Sequence, residues 1–333
     1  IGIDFDTIMD CFNRTFSVEG NCFNISASCG ITIFPDDGKE VDMLLKNADM
    51  AMYQAKKNKK HTYVMFNQIK EEVNLERSLR KALENNEFVL YYQPLFDLNS
   101  GEIIGFEALI RWQSPTYGFV YPPKFIGIAE ESGFIVPIGK WVLKTACLFI
   151  KFLHDQGYQK LMVSVNVSVA QLMESDFVET VLNILHDVAI EPCFLELELT
   201  ESILMETLDV NYKKLKRLLD SGVTIAIDDF GKGYSSLSYL KSLPVNKLKI
   251  DKSFIDGIGS QGDFTESIVE IGHKIGLGVV AEGVETKGQL DFLARTKCNY
   301  AQGYWLGMPV TAEEALDLLK KTQGNKISRN MIH

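Results

Sequence analysis

The chain has 333 residues, 46% hydrophobic and 23% charged, with a formal net charge of −10. That length supports a large buried core, enough for one full domain with a smaller piece beside it. The acidic balance excludes duplex nucleic acid and an anionic membrane as main partners, since both demand a basic surface, and no window is long and apolar enough to span a bilayer.

In chain order, the first periodic stretch places Leu44, Ala48, Met52 and Ala55 on one face of a helix. A charged amphipathic helix follows over Asn67 to Glu87, with Ile69, Val73, Leu79 and Leu83 as its apolar stripe. Beyond it, short β-branched and apolar runs each end in polar residues. Ile103 to Trp112 carries Glu107 and Arg111; Leu161 to Ser168 carries Asn166; Phe194 to Thr200 carries Glu196 and Glu198, with Glu201 just beyond. Thr224 to Gly231 carries Asp228 and Asp229, Lys247 to Asp251 carries Lys249, Gly278 to Val284 carries Glu282, and Tyr300 to Leu306 carries Gln302. Helical spacing separates these runs, as in Leu143, Ala146, Cys147 and Ile150, or Val181, Leu182, Leu185 and Val188.

Strands alternating with helices predict a parallel sheet, and about eight such units close a (β/α)8 barrel of on the order of 250 residues. The expected division is an α/β fragment over residues 1–66, a helical linker over 67–77, the barrel over 78–323 and a tail over 324–333. In such a barrel the late polar residues of every strand meet at one mouth. Successive side chains of a strand alternate sides, so Asp228 points inward and Asp229 sits where the backbone turns. The oxygen-rich set Glu107, Asn166, Glu198, Asp228, Asp229 and Glu282 suits two Mg²⁺ or Mn²⁺ ions better than Zn²⁺, because no Cys or His joins it. Glu196 shares the parity of Glu198 and reads as a structural ion-pair residue.

At these residues the chain resembles the EAL domains, the cyclic di-GMP phosphodiesterases of bacteria. The resemblance runs through Tyr92-Gln93-Pro94-Leu95, Phe106-Glu107-Ala108-Leu109-Ile110-Arg111-Trp112, Val165-Asn166-Val167-Ser168, Glu198-Leu199-Thr200-Glu201 and Asp228-Asp229-Phe230-Gly231. It continues through Leu248-Lys249-Ile250-Asp251, Ala281-Glu282-Gly283-Val284-Glu285 and Gln302-Gly303-Tyr304. It implies metal ligation by Glu107, Asn166, Glu198, Asp228, Asp229 and Glu282, with Lys249, Glu282 and Glu107 as the catalytic residues and Lys249 orienting the attacking water. It also implies substrate contacts from Arg111, Gln93 and Gln302, and Glu201 steadying the loop after the Asp pair. The implied reaction opens one phosphodiester bond of cyclic di-GMP to give linear 5′-pGpG, with Ca²⁺ inhibitory and a homodimer formed through the EAL domain. A receptor that binds cyclic di-GMP without turnover and signals to a partner is the alternative, which the intact ligand set disfavours. Lys232 and Asn246 depart from the family pattern, and Glu285 competes with Glu282 for the metal-site role.

Ser26 to Ile31, Phe34 to Gly38 and Ala48 to Lys56 resemble the carboxyl-terminal part of a GGDEF domain, the diguanylate cyclase fold. The substrate-gripping loop of that domain is absent, so the segment is expected to be structural or regulatory. The six cysteines form no CxxC pair and read as free thiols in a reducing cytoplasm. A sensor or membrane anchor upstream of Ile1 is compatible with that setting.

Overall fold

The computed structural model describes residues 5–12, 15–18, 21–58, 62–231, 240–259 and 264–324. The chain divides into two compact units, Ile1–Lys81 and Ala82–His333. The first contains α1 (Phe5–Asp10), a hairpin of β1 (Thr15–Val18) and β2 (Asn21–Asn24), and a parallel pair, β3 (Ser28–Ile31) and β4 (Thr62–Met65), joined through α2 (Val41–Asn58). Helix α2 lies directly on β3: a Cβ at Gly30 would stand 1.9 Å from the Ala48 carbonyl oxygen. Ala51 and Ala55 are fully buried, on the face predicted from Ala48 and Ala55.

Helix α3 (Phe66–Ala82) ends earlier than the predicted linker helix and turns a different stripe inward. Leu75, Leu79 and Ala82 are buried, whereas Val73 is 49% exposed. Val73 lies two residues from Leu75, which at about 100° per residue puts the two on opposite sides of the helix.

The second unit is a closed barrel. Its strands are β5 (Phe88–Asp97), β6 (Ile103–Ser114), β8 (Met162–Asn166), β9 (Leu195–Thr200), β10 (Thr224–Phe230), β11 (Lys247–Ile250), β12 (Gly278–Ala281) and β13 (Tyr300–Ala301). Strand β7 (Gly118–Val120) extends the sheet beyond β6. Outside lie helices that include α4 (Pro122–Glu131), α5 (Ile135–Asp155), α6 (Val169–Met173), α7 (Phe177–Val188) and α8 (Glu201–Asp220). Further on come α9 (Lys252–Asp256), α10 (Thr265–Lys274), α11 (Lys287–Arg295) and α12 (Ala312–Gly324). Leu143, Ala146, Cys147 and Ile150 of α5 are buried as their spacing predicts; on α7 Ile184 is buried and Leu182 only partly so.

The sheet is not wholly parallel. Strand β5 runs antiparallel to both neighbours, β6 and β13, while the other barrel pairs are parallel. A five-residue connection, 98–102, links β5 to β6, too short for the crossover that a parallel pair needs. Among the described residues no helix is long and apolar enough to cross a membrane.

The loops after β12 and β13 are stitched together by the Val284 N–H donating to the Gln302 carbonyl (3.1 Å) and the Trp305 N–H donating to the Val284 carbonyl (2.9 Å). Gly303 passes through this joint at φ 155, where a Cβ would stand 2.1 Å from the Val284 nitrogen. Backbone cannot yield as a flexible side chain does. Gly303→Ala should therefore cost about 2 kcal/mol or more, read as a lowered denaturant midpoint at unchanged m-value.

Candidate active site

Strand β9 reads Leu-Glu-Leu-Glu-Leu-Thr, and the alternation sorts it completely: both faces are buried. Leu195, Leu197 and Leu199 occupy the face away from the barrel interior, so Glu196 and Glu198 point toward its axis. Strand β11 repeats the arrangement with Lys247 and Lys249 inward and Leu248 and Ile250 outward. Two ion pairs follow, one above the other. Lys247 Nζ lies 2.7 Å from Glu196 Oε2, and Lys249 Nζ lies 2.7 Å from Glu198 Oε2.

Lys249 is the centre of the upper layer. Its ammonium is 2.6 Å from Glu282 Oε1, 3.4 Å from Asp228 Oδ1 and 3.5 Å from Glu107 Oε2. The combined charge of these four carboxylates holds the ammonium in place. Neutral amides orient the carboxylates: Asn166 Nδ2 donates to Glu107 Oε1 (2.9 Å), and Gln302 Nε2 donates to Glu107 Oε2 (2.6 Å) and Glu282 Oε1 (2.9 Å).

Burial and mutual repulsion set the protonation of this group. Burial pushes Glu282 up to about 8, against the pull of Lys249. Glu198 stands well above the ordinary carboxylate range, through burial and then the charge of Glu107. Burial likewise raises Asp228. At Glu107 burial opposes ionisation, but Lys249 and the Gln302 and Asn166 hydrogen bonds outweigh it, and its pKa lies below the usual value. The four carboxylates outweigh the desolvation of Lys249 and hold it charged.

The Asp pair sits at an irregularity in the strand. The register of β10 against β11 shifts between Ile227 and Phe230, and Asp229 adopts φ 55. Asp228 thus faces Lys249 while Asp229 is carried aside, the offset expected from strand alternation. Glu201, first residue of α8, accepts the Gly231 N–H at Oε2 (3.0 Å). Gly231 has φ 104 and packs against the Phe254 ring. Lys232 and the rest of the predicted loop to Ser236 lie outside the described residues.

A cavity of about 300 Å³ opens over this group, lined among others by Gln93, Glu107, Asp228, Glu282, Gln302 and Tyr304. Gln93 pairs with Glu107 in register and donates to the Gly307 carbonyl (3.1 Å). Arg111 stands four residues beyond Glu107 on β6 and donates to the Ile110 carbonyl (2.8 Å). Glu282 joins the acidic group; Glu285 instead pairs with Lys252 at the rim. Asn246 bridges strand starts, its Oδ1 accepting the Ile225 N–H at 2.9 Å and its carbonyl accepting the Gly278 N–H at 3.0 Å. Lys247 was not among the expected residues, although its parity with Lys249 was visible; Lys252 and Tyr304 carried no periodic signal.

Among the described residues no three or more His, Cys, Asp or Glu side chains converge on a point that would hold an ion as they stand, and the Lys249 ammonium occupies the middle of the group. The donor chemistry nevertheless fits a hard cation. Glu198 Oε2 and Asp228 Oδ1 are buried without hydrogen-bond partners, leaving lone pairs for an oxygen-preferring ion, and Asn166 adds an amide oxygen at the rim.

Replacing Lys249 leaves four buried carboxylates without their common cation. Lys249→Met should destabilise the metal-free protein by about 3–5 kcal/mol, as breaking a buried ion pair does. Without the cation the carboxyl pKa values rise, so the folded state binds protons more tightly than the wild type does and loses more stability as pH rises from 5 to 8. Urea unfolding in a chelator should show the larger loss at pH 8; an equal or smaller loss there would contradict the arrangement.

Over residues 76–309 the chain matches the family described as EAL domain, and over residues 4–62 the family described as diguanylate cyclase, GGDEF domain. It is 39% identical over 311 residues to the cyclic di-GMP phosphodiesterase NbdA of Pseudomonas aeruginosa, covering 91% of this chain and 40% of NbdA. It is 41% identical over 312 residues to the bifunctional diguanylate cyclase/cyclic di-GMP phosphodiesterase MucR of the same organism, covering 91% of this chain and 46% of MucR. The chain therefore spans less than half the length of these curated relatives. Its fold matches the solved complex of the PaMucR phosphodiesterase with c-di-GMP at a TM-score of 0.70 and 43% identity, over 73% of this chain and 99% of that one. A family match over residues 76–309, with relatives 39% and 41% identical across 91% of the chain, makes the chain a member of the EAL domain family.

Proposed function

We propose that the chain hydrolyses one phosphodiester bond of cyclic di-GMP to linear 5′-pGpG. The observation that supports it most is Lys249 at the centre of Glu107, Glu198, Asp228 and Glu282, beneath an open cavity in a family whose solved member holds this dinucleotide. We place the activity in residues 78–323, with 67–77 as connector, 1–66 as the GGDEF-like fragment and 324–333 as tail. The family resemblance also supports a homodimer through the EAL domain and a cytoplasmic setting.

Glu107, Asn166, Glu198, Asp228, Asp229 and Glu282 would hold two Mg²⁺ or Mn²⁺ ions. Such ions neutralise phosphate charge and make a bound water a better acid. Lys249 donates to the attacking water and fixes its lone pair in line with the phosphorus, a positioning effect. Gln302 holds Glu107 and Glu282 in one orientation through its single amide nitrogen. Arg111 takes a phosphate oxygen through its guanidinium fork, Gln93 lines the cavity over the acidic group, and Glu201 steadies the turn at Gly231.

Incubation with cyclic di-GMP and chromatography of the products tests the reaction. Mg²⁺ or Mn²⁺ should support 5′-pGpG formation, and Ca²⁺, which prefers longer bonds and more ligands, should suppress it. Equal rates in Ca²⁺ and Mg²⁺ would count against the mechanism.

The two cations should separate kinetically. Lys249→Ala should lower kcat by on the order of 10²-fold or more with little loss of cyclic di-GMP binding. Arg111→Ala should weaken binding instead. Calorimetric titration in Ca²⁺ beside steady-state kinetics in Mg²⁺ measures both, and a Lys249→Ala enzyme that loses binding while keeping kcat would reverse the assignment.

A further inference from the structure

Glu107, Leu109 and Arg111 leave β6 on one face, because side chains two residues apart share a side. The β5 register pairs Tyr91 with Leu109, placing its ring on that face too. Strand β7 continues the surface: Phe119 pairs with Gln113, two residues past Arg111, and Tyr121 follows two residues later. Strand register thus brings Tyr91 and Phe119 to that face, and Tyr121 follows directly on the end of β7.

The distances agree. The Arg111 guanidinium carbon lies 5.9 Å from the Tyr91 ring centroid and 5.7 Å from that of Tyr121. Phe119 stands edge-on to both rings, at 5.9 Å from Tyr91 and 5.2 Å from Tyr121. The guanidinium donates to the carbonyl of its neighbour Ile110, and among the described residues no carboxylate pairs with it. Tyr121 is 61% exposed and Phe119 41%, large rings that stay at the surface.

We infer that Tyr121, braced by Phe119 and working with Tyr91, is a positioning residue that holds the Arg111 guanidinium ready for a phosphate of the bound dinucleotide. The inference rests on the proposed function. A long arginine side chain loses much rotational freedom on gripping a phosphate, and a ring face that restricts it beforehand lowers that loss. The attraction comes from the ring quadrupole, which leucine lacks and phenylalanine keeps. The contact acts on substrate capture, so its loss should appear in KM.

Steady-state hydrolysis of cyclic di-GMP by wild type, Tyr121→Leu, Tyr121→Phe, Arg111→Ala and the Arg111→Ala/Tyr121→Leu double variant tests this. Tyr121→Leu should raise KM roughly two- to fivefold, the range that an exposed cation–π contact supplies, with kcat held within about twofold. Tyr121→Phe should restore KM, and Tyr121→Leu should add nothing once Arg111 is gone. A Phe variant as defective as Leu, or an undiminished effect of Leu without Arg111, would overturn the inference, since Tyr121 would then act by its hydroxyl or on the substrate itself. Wild-type turnover separates the two claims: without it the functional reading fails, and the same cycle measured as equilibrium binding of cyclic di-GMP in Ca²⁺ decides the role of Tyr121. No coupling, or no binding, there overturns the inference as well.

Discussion

One buried ammonium organises the mouth of this barrel. Lys249 is 2% exposed and lies within 3.5 Å of oxygens from Glu107, Glu198, Asp228 and Glu282, which arrive on four different strands or the turns that follow them. Four carboxylates and one cation leave an excess of negative charge in a desolvated space. The excess is met partly by protonation, with Glu282 raised to about 8, and partly by amide donors from Asn166 and Gln302. A group so strained electrostatically has a standing affinity for further positive charge.

The barrel below is built to the same rule. Glu196 and Lys247 form a second ion pair two residues beneath, with Lys247 over the Tyr300 ring at 5.0 Å and its nitrogen 3.4 Å from the Met162 sulfur. Outward-facing leucines and isoleucines of β9 and β11 are buried, so apolar packing outside supports a polar column inside. A buried ion pair contributes little net stability by itself; its effect here is to fix which way each strand faces.

The reversed strand β5 also shapes the mouth. Running antiparallel to β6, it places Gln93 opposite Glu107 and lets the segment after β13 dock on it, where Tyr92 and Val310 exchange backbone hydrogen bonds of 2.7 and 3.0 Å. The short connection to β6 leaves that hairpin free to extend past the rim with β7, and Arg111 with its rings stands on the extension.

A period of two follows from backbone geometry alone, so the offset of Asp228 from Asp229 and the shared parity of Glu196 with Glu198 are legible in the sequence, whereas the roles of Glu198 and Lys249 come from the family resemblance. Barrel closure followed from the repeated strand–helix pattern. The direction of β5 did not, since alternation looks the same from either end and only hydrogen bonding to β6 and β13 fixes it. Val73 of α3 is exposed where its spacing predicts burial, because an isolated helix has several apolar positions and packing chooses among them. The choice of Glu282 over Glu285 and the pairing of Glu196 with Lys247 both join residues distant in sequence. Their partners are set by where strands sit around the barrel, which Coulomb attraction and packing decide only after the chain has closed.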